Sequence, residues 1–148
     1  MSGRIVQISV SGGVPKPRAT SARVTVLEGL EDDGHRDLEH HGGPERVVCL
    51  DAMEAIRALQ SEGSTIVPRS HLLLGESVCL QVTKYTNPCV NIAPAFQDEN
   101  SARVSQKRNP GWRRVDARVL ATGSIRASDR VWLPTDAEAA RMRVPART

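Results

Sequence analysis

Aromatic side chains are nearly missing from this sequence: one phenylalanine, one tyrosine and two tryptophans make up 3% of its 148 residues. Aromatic rings usually supply the largest single burials in a core, so this core has to be built from aliphatic side chains. Cysteine is also scarce, at three. An odd number, with no Cys-x-x-Cys spacing and no export signal, argues against a disulfide framework and leaves each thiol to be judged by its neighbours. No apolar run approaches the roughly 20 residues that span a bilayer. The opening Met1-Ser-Gly-Arg-Ile-Val-Gln-Ile-Ser-Val10 alternates like a strand and does not read as a signal peptide, so the expected location is the cytoplasm, with no membrane association. An excess of one charge is lacking too. Twenty basic and 17 acidic residues leave a formal +3, too mild to declare a nucleic-acid binder.

What is present has the size and balance of one soluble globular unit, with 39% hydrophobic and 25% charged residues. We read a single domain over residues 1–134 and a tail or short helix over 135–148. Strands predominate. Ile5, Val6, Ile8 and Val10 form the first, followed by the glycine- and proline-bearing loop Ser11-Gly-Gly-Val-Pro-Lys-Pro17. In Ala22-Arg-Val-Thr-Val-Leu27 the period of two sets Val24 and Val26 on one face and Arg23 and Thr25 on the other. Residues 28–44 show no periodicity and read as a long irregular connection, a kind of segment that is often functional.

Arg46-Val-Val-Cys-Leu50 is a short β-rich run. Asp51 then opens a helix as N-cap, with Glu54 completing a capping box, and Gly63 ends it. Leu72-Leu-Leu74 and Ser77-Val-Cys-Leu-Gln-Val-Thr83 give a further strand region, with Val78, Leu80 and Val82 on one face and Cys79, Gln81 and Thr83 on the other. It delivers the chain to Tyr85-Thr-Asn-Pro-Cys89. Residues 91–96 suit a short helical turn, 103–112 a basic loop, and Val115–Leu120 and Ile125–Leu133 two late strands around a Thr122-Gly123 turn. Thr135 and Glu138 have the spacing of a capping box at the start of the tail.

Cys89 is the residue with the most chemical promise. It follows Asn87-Pro88 in a polar loop, and Lys84, a following helix start and the basic loop would all favour its thiolate, the form that attacks sulfur or binds metal. A small buried hydrophobe is the competing reading for any cysteine. It is preferred for Cys49 and Cys79, which sit inside strand patterns, and is evenly matched for Cys89. His35, His40 and His41 lie among Asp32, Asp33, Asp37 and Glu39. Imidazole and carboxylate together suit zinc or iron, yet the spacing fits no established metal motif, and a loop turned by Gly42-Gly43 explains it more simply. Arg103, Lys107, Arg108, Arg113 and Arg114 surround Trp112 in the most basic stretch. It suits phosphate or single-stranded nucleic acid, and equally a solvated loop paired with Asp98 and Glu99.

Four segments in order, Gly12-Gly-Val-Pro-Lys16, Gly34-His35 leading to His41-Gly-Gly-Pro-Glu-Arg-Val-Val48, Tyr85-Thr-Asn-Pro-Cys89 with Asn91 and Ala93-Pro-Ala-Phe96, and Arg103-Val-Ser-Gln-Lys-Arg-Asn-Pro-Gly-Trp112, together resemble the MOSC family, the molybdenum-cofactor sulfurase C-terminal domains. They cover most of residues 3–133. The resemblance implies a mainly β, barrel-like fold with one or two short helices. It also implies a cleft in which the family's cysteine, matched by Cys89, carries a persulfide or approaches molybdenum. On that basis Lys16, Lys107 and Arg108 are candidates for the phosphate of molybdopterin. His41, Gly42 and Gly43 would shape the wall, with Asn87 and Asn91 as further cofactor contacts.

A separate sulfur donor or reductase is implied as partner, because no flavin, iron–sulfur or nicotinamide motif is present, and nothing points to pyridoxal phosphate. One departure stands out: Arg69 to Gly75 replaces a longer strand-rich segment usual in the family, an internal deletion that is expected to leave a barrel edge open. A second copy of the chain or the tail would cover it, and a homodimer is the preferred expectation. Because the deletion removes part of the implied cleft, a non-enzymatic binding module for a phosphate-bearing ligand, nucleotide or protein is the alternative function.

Overall fold

The computed structural model describes residues 2–12, 16–26, 28–34, 45, 48–50, 66–87, 97–105, 107–110, 114–135 and 137–138. Among them the chain is mainly β. Eleven strands are β1 (Ser2–Arg4), β2 (Ile8–Ser9), β3 (Arg18–Ala19), β4 (Ser21–Thr25), β5 (Gly29–Leu30), β6 (Val48–Leu50), β7 (His71–Leu74), β8 (Val78–Tyr85), β9 (Val115–Ala121), β10 (Gly123–Arg126) and β11 (Arg130–Trp132), with one 3₁₀ turn at Ser101–Val104. A six-stranded sheet runs β1-β11-β7-β8-β9-β6, a three-stranded sheet β10-β4-β5, and β2 pairs with β3. All pairings are antiparallel.

The core is aliphatic, as the shortage of aromatic residues requires. Ile8, Val24, Val48, Leu72, Leu74, Val78, Leu80, Val82, Val115, Ala117, Val119 and Ile125 form one buried cluster. Val78, Leu80 and Val82 alternate on β8, and Val115, Ala117 and Val119 on β9, so the inward faces of these neighbours carry half of that cluster. Burying each of the larger ones stabilises the fold by about 1.5–3 kcal/mol before entropy is counted. Among the described residues Asp116 is the one charged residue that is buried, on the opposite face of β9.

Several sequence expectations shift in detail. The opening strand is two short pieces separated by residues 5–7, because Ile5 there bonds across to the turn at 128–129: its N–H donates to the Asp129 carbonyl at 2.8 Å, and Ser128 N–H donates to the Ile5 carbonyl at 2.7 Å. Val26 does not share the buried face of Val24. It lies past the end of β4, 36% exposed, with its N–H donated to the Thr122 hydroxyl at 3.2 Å. Within the connection expected to be irregular, β5 extends the three-stranded sheet through Val24↔Leu30 and Thr25↔Gly29.

Thr122-Gly123 does not form a hairpin turn between paired strands, since β9 pairs with β8 and β6 while β10 pairs with β4. It is a corner where one strand leaves the first sheet and enters the second. The expected strand over 125–133 is likewise divided into β10 and β11 by a tight turn, in which Asp129 N–H donates to the Arg126 carbonyl at 3.1 Å.

At the expected deletion, β7 and β8 form a hairpin and β7 also pairs with β11, so both strands are interior to the sheet. The outer strands of the described sheet are β1 and β6, each three residues long. The capping box at the tail is present: Thr135 donates from both its N–H and its hydroxyl to Glu138 Oε2 at 2.8 Å, and Glu138 N–H donates back to the Thr135 hydroxyl at 3.3 Å. These bonds lower the pKa of the Glu138 carboxyl. The expected helix from Asp51 and the turn at 91–96 lie outside the described residues.

Gly123 marks the tightest point of the corner. A β-carbon there would lie 2.1 Å from Ser77 Oγ, 3.0 Å from Val78 Cγ2 and 3.1 Å from Ser77 Cβ. We expect Gly123→Ala to destabilise the fold by about 1–3 kcal/mol through overpacking, with Ser77→Gly in the same chain restoring part of the loss; urea unfolding of the single and double variants measures both effects.

Candidate functional site at the end of the central ladder

β8 and β9 run side by side until Tyr85 faces Val115, and β6 lies on the far side of β9 with Leu50 also facing Val115. Three strand ends therefore meet at one end of the sheet. The ladder continues one residue beyond β8, where Thr86 N–H donates to the Arg114 carbonyl at 3.0 Å. Asn87, exposed, leads from there into the Pro88-Cys89 segment, and Arg114 closes the basic loop that contains Lys107 and Arg108. Two of the segments singled out in the sequence are thus tied to the same point.

The outward face at this end is polar and closely bonded. Cys49 on β6 stands opposite Asp116 on β9. The Thr86 hydroxyl donates to Asp116 Oδ1 at 2.7 Å and lies 3.7 Å from Cys49 Sγ. A hydroxyl has one proton and a carboxylate only accepts, so with Asp116 ionised the Cys49 thiol is the donor towards Thr86. This row of contacts gives a buried acid, 8% exposed, a defined partner.

Farther along the same face, the Thr83 hydroxyl reaches two carbonyl oxygens, those of Glu45 at 2.6 Å and Asp116 at 3.0 Å. Arg118 donates through Nε to Gln81 Oε1 at 2.9 Å, with Nη2 on the same oxygen, and through Nη1 to Glu45 Oε1 and Oε2 at 3.0 and 3.3 Å. Glu45 is consequently held by its carboxylate and by its carbonyl. It directly follows His41-Gly42-Gly43-Pro44, so the C-terminal end of that loop is anchored to the β8–β9 face. His41, Gly42, Gly43, Cys89 and Asn91 themselves lie outside the described residues.

Lys16 occupies a different setting. It forms an ion pair with Asp33, whose Oδ1 also accepts the Ser11 N–H at 3.0 Å. The pair links the first glycine-rich loop to the segment before His35, and Gly12 and Gly34 are packed so closely that a β-carbon on Gly34 would lie 2.7 Å from the Gly12 Cα. The charge expected to serve a phosphate is thereby balanced within the chain. Lys107 and Arg108 are exposed in a turn where Arg108 N–H donates to the Ser105 carbonyl at 3.1 Å. Among the described residues no group of three or more histidine, cysteine or acidic side chains is arranged to hold a metal ion.

The two described cysteines differ. Cys79 is buried on β8, and burial raises its pKa, in line with the small-hydrophobe reading. Cys49 departs from that expectation: it is in a strand but exposed, because β6 is the last strand of the described sheet and its outward face is open at this residue. Asp116, Arg118, Thr83 and Thr86 were not among the sequence candidates. Their signal was available, since Asp116 and Arg118 are the alternate polar positions in the strand Val115-Asp-Ala-Arg-Val119.

With this geometry in place, the comparisons with known proteins locate the fold. No family model matches the chain. YflK, an uncharacterized protein of Bacillus subtilis (strain 168), is 35% identical over 102 residues, which are 68% of this chain and 44% of that protein. The chain thus spans less than half the length of the curated relative it matches. Among solved structures, YuaD from Bacillus subtilis superposes with a TM-score of 0.66 at 10% identity, covering 88% of this chain and 94% of YuaD. YiiM from Escherichia coli gives 0.61 at 18% identity over 90% of this chain and 70% of YiiM. A hypothetical protein solved by crystallography gives 0.65 at 20% identity, over 99% of this chain and 79% of its own. The fold is MOSC-like. No helix of the described residues is long and apolar enough to cross a membrane.

Accessibility should separate the thiols. In the folded protein Cys49 is expected to alkylate with iodoacetamide well before Cys79, which should react only on unfolding; peptide mass spectrometry after timed labelling reads this out. Thr86→Val removes the donor to a buried carboxylate and should cost about 1–3 kcal/mol in urea unfolding.

Proposed function

We propose that this chain is a MOSC domain whose Cys89 carries sulfur as a persulfide, for delivery to or exchange with molybdenum cofactor. The observation that supports this reading most is the placement of the two ends leading to the implied cleft. Thr86, three residues before Cys89, is locked to Asp116 and Arg114, and Glu45, beside the His41-Gly42-Gly43 loop, is locked to Arg118 and Thr83. Both fixed points lie on one face of the β8–β9 ladder. A sulfur carrier needs a cysteine on a short loop held by a rigid element, and an anchored strand end provides that.

The described residues also suit part of a pterin cofactor. Its phosphate would be held by Lys107 and Arg108, exposed and able to turn their donors outward, with Asn87 at the strand end as a further contact. Lys16, already paired with Asp33, is left to join the two loops. When bound, the cofactor would supply the metal centre that accepts or returns sulfur. The protein would supply the thiol, the hydrogen-bonded floor and the cationic loop. A separate donor or reductase has to load or regenerate Cys89, because a thiol and hydrogen-bonding side chains supply no electrons beyond those of the sulfur itself. We further propose that the domain works as a homodimer in the cytoplasm.

The decisive experiment is native mass spectrometry of protein made in cells that synthesise molybdenum cofactor, comparing wild type with Cys89→Ser. An added sulfur atom, pterin or metal that depends on Cys89 is the expected result, and the same spectrum reports the dimer. A pterin or nucleotide retained equally by Cys89→Ser would assign the fold to phosphate-ligand binding without sulfur chemistry. A clean mass in both proteins despite available cofactor would remove the sulfur-carrier and cofactor readings together.

A further inference from the structure

At the other end of the central strand, three arginines gather around one turn. Arg4 on β1 is the register partner of Arg130 on β11, and both are exposed. Directly opposed side chains in an antiparallel pair have β-carbons about 4.5–5.5 Å apart, and like charges in that position destabilise the pair. Arg126, also exposed, closes the turn that leads into β11: its N–H donates to Asp129 Oδ2 at 2.7 Å, and its carbonyl accepts from Asp129 N–H at 3.1 Å. None of the three arginines forms an ion pair with a described residue. Asp129 is the acid nearest in sequence, and its described bonds are to the backbone of this turn; Glu76 is exposed beyond Gly75, whose N–H donates to the Arg130 carbonyl.

One of these guanidiniums is held in place. Ser128 adopts a left-handed conformation, φ 76°, and its carbonyl accepts from Arg4 Nη1 at 2.9 Å. The bond fixes Arg4 over the turn that begins at Arg126 and leads into its register partner Arg130. Ordinary surface arginines are free to spread and lessen their repulsion. Here the strand register and the Ser128 contact work against that. The cluster is remote from the site already described, because the Arg130 carbonyl accepts from Gly75 N–H in the β7–β8 turn, which leads into the start of β8, and Thr86 follows the end of β8. Eight residues at about 3.3 Å each separate the two by more than 20 Å.

We propose that this arginine turn is a docking surface for the phosphate backbone of a nucleic acid. The guanidinium fork matches a phosphate oxygen pair better than an ammonium does. Three forks distributed over two strands and a turn exceed what one phosphate can engage, whereas a phosphodiester chain offers successive anions. The small net charge of the whole chain is no obstacle, because backbone phosphate contacts depend on the local cluster. The expected binding is sequence-independent and sensitive to salt.

Fluorescence anisotropy with short labelled DNA, single-stranded and duplex, tests the proposal on the wild type and on the combined Arg4→Gln, Arg126→Gln, Arg130→Gln variant. Wild type should bind at low salt, with affinity falling linearly on a double-logarithmic salt plot. The variant should lose at least about tenfold in affinity, and its salt slope should drop by roughly 2–3. Relief of like-charge repulsion should leave its melting temperature equal or higher, which distinguishes lost contacts from lost fold. Equal binding by the variant, or no binding by the wild type, overturns the proposal. Salt-sensitive binding of polyglutamate with none of DNA would overturn it in favour of an acidic protein partner.

Discussion

The pairing of β8 with β9 is the constraint from which most of the architecture follows. Its inward residues supply Val78, Leu80, Val82, Val115, Ala117 and Val119 to the core. Its outward residues supply Gln81, Thr83, Asp116 and Arg118 to the polar face. A slip of one residue would exchange these sets, burying an arginine and exposing valines. The register is therefore held from both sides, by apolar burial beneath and by hydrogen bonds above. The irregularities between Cys79 and Leu80 and between Val82 and Lys84 change the alternation locally. The second falls at Thr83, whose hydroxyl reaches the Asp116 backbone carbonyl, while the Thr86 hydroxyl bonds the carboxylate of the same residue.

The same ladder links the two sheets. β9 ends at Ala121, and the chain continues through Thr122 into β10, which pairs with β4. Such a corner needs the strand to cross closely over the start of β8, and the missing β-carbon at Gly123 makes room for Ser77 and Val78. Ile125 and Val24 then face the core from the second sheet. A single glycine at the bend thus allows one strand to contribute to both sheets.

Strand identity was legible where alternation was strong. The two faces of β8 follow from Val78, Leu80 and Val82 against Cys79, Gln81 and Thr83, and the aliphatic core follows from composition. Boundaries and partners were less legible. Thr122-Gly123 has the residue types of a hairpin turn, and only the partners of β9 and β10 distinguish a corner from a hairpin. Val26 has the right parity for burial but falls beyond the last pair of β4. Cys49 has a strand pattern around it, yet whether such a residue is covered depends on whether another strand lies beside it. For the site, the motif segments indicated where chemistry belongs but not what supports it. Asp116 and Arg118 acquire meaning only when Thr86 and Glu45, distant in sequence, arrive on the same face.

Charge placement narrows what that site can do. Within the described site Arg118 is shared between Gln81 and Glu45 and Asp116 accepts the Thr86 hydroxyl, whereas Lys84, exposed on β8 in register with Asp116, forms no ion pair with a described residue. Lys16, the cation expected at the first glycine loop, is balanced by Asp33. The exposed cations open to the phosphate proposed for this end of the sheet are therefore Lys84 on the strand and Lys107 and Arg108 in the loop. A sulfur-bearing group has less need of positive charge and can sit nearer the strand end, where Thr86 and Cys49 offer weakly polar contacts. The division of labour proposed for the domain, with sulfur handled at the end of β8 and phosphate by the basic loop, sets the anionic group against exposed cations and the sulfur beside a hydroxyl and a thiol, which keeps its electrostatic cost low.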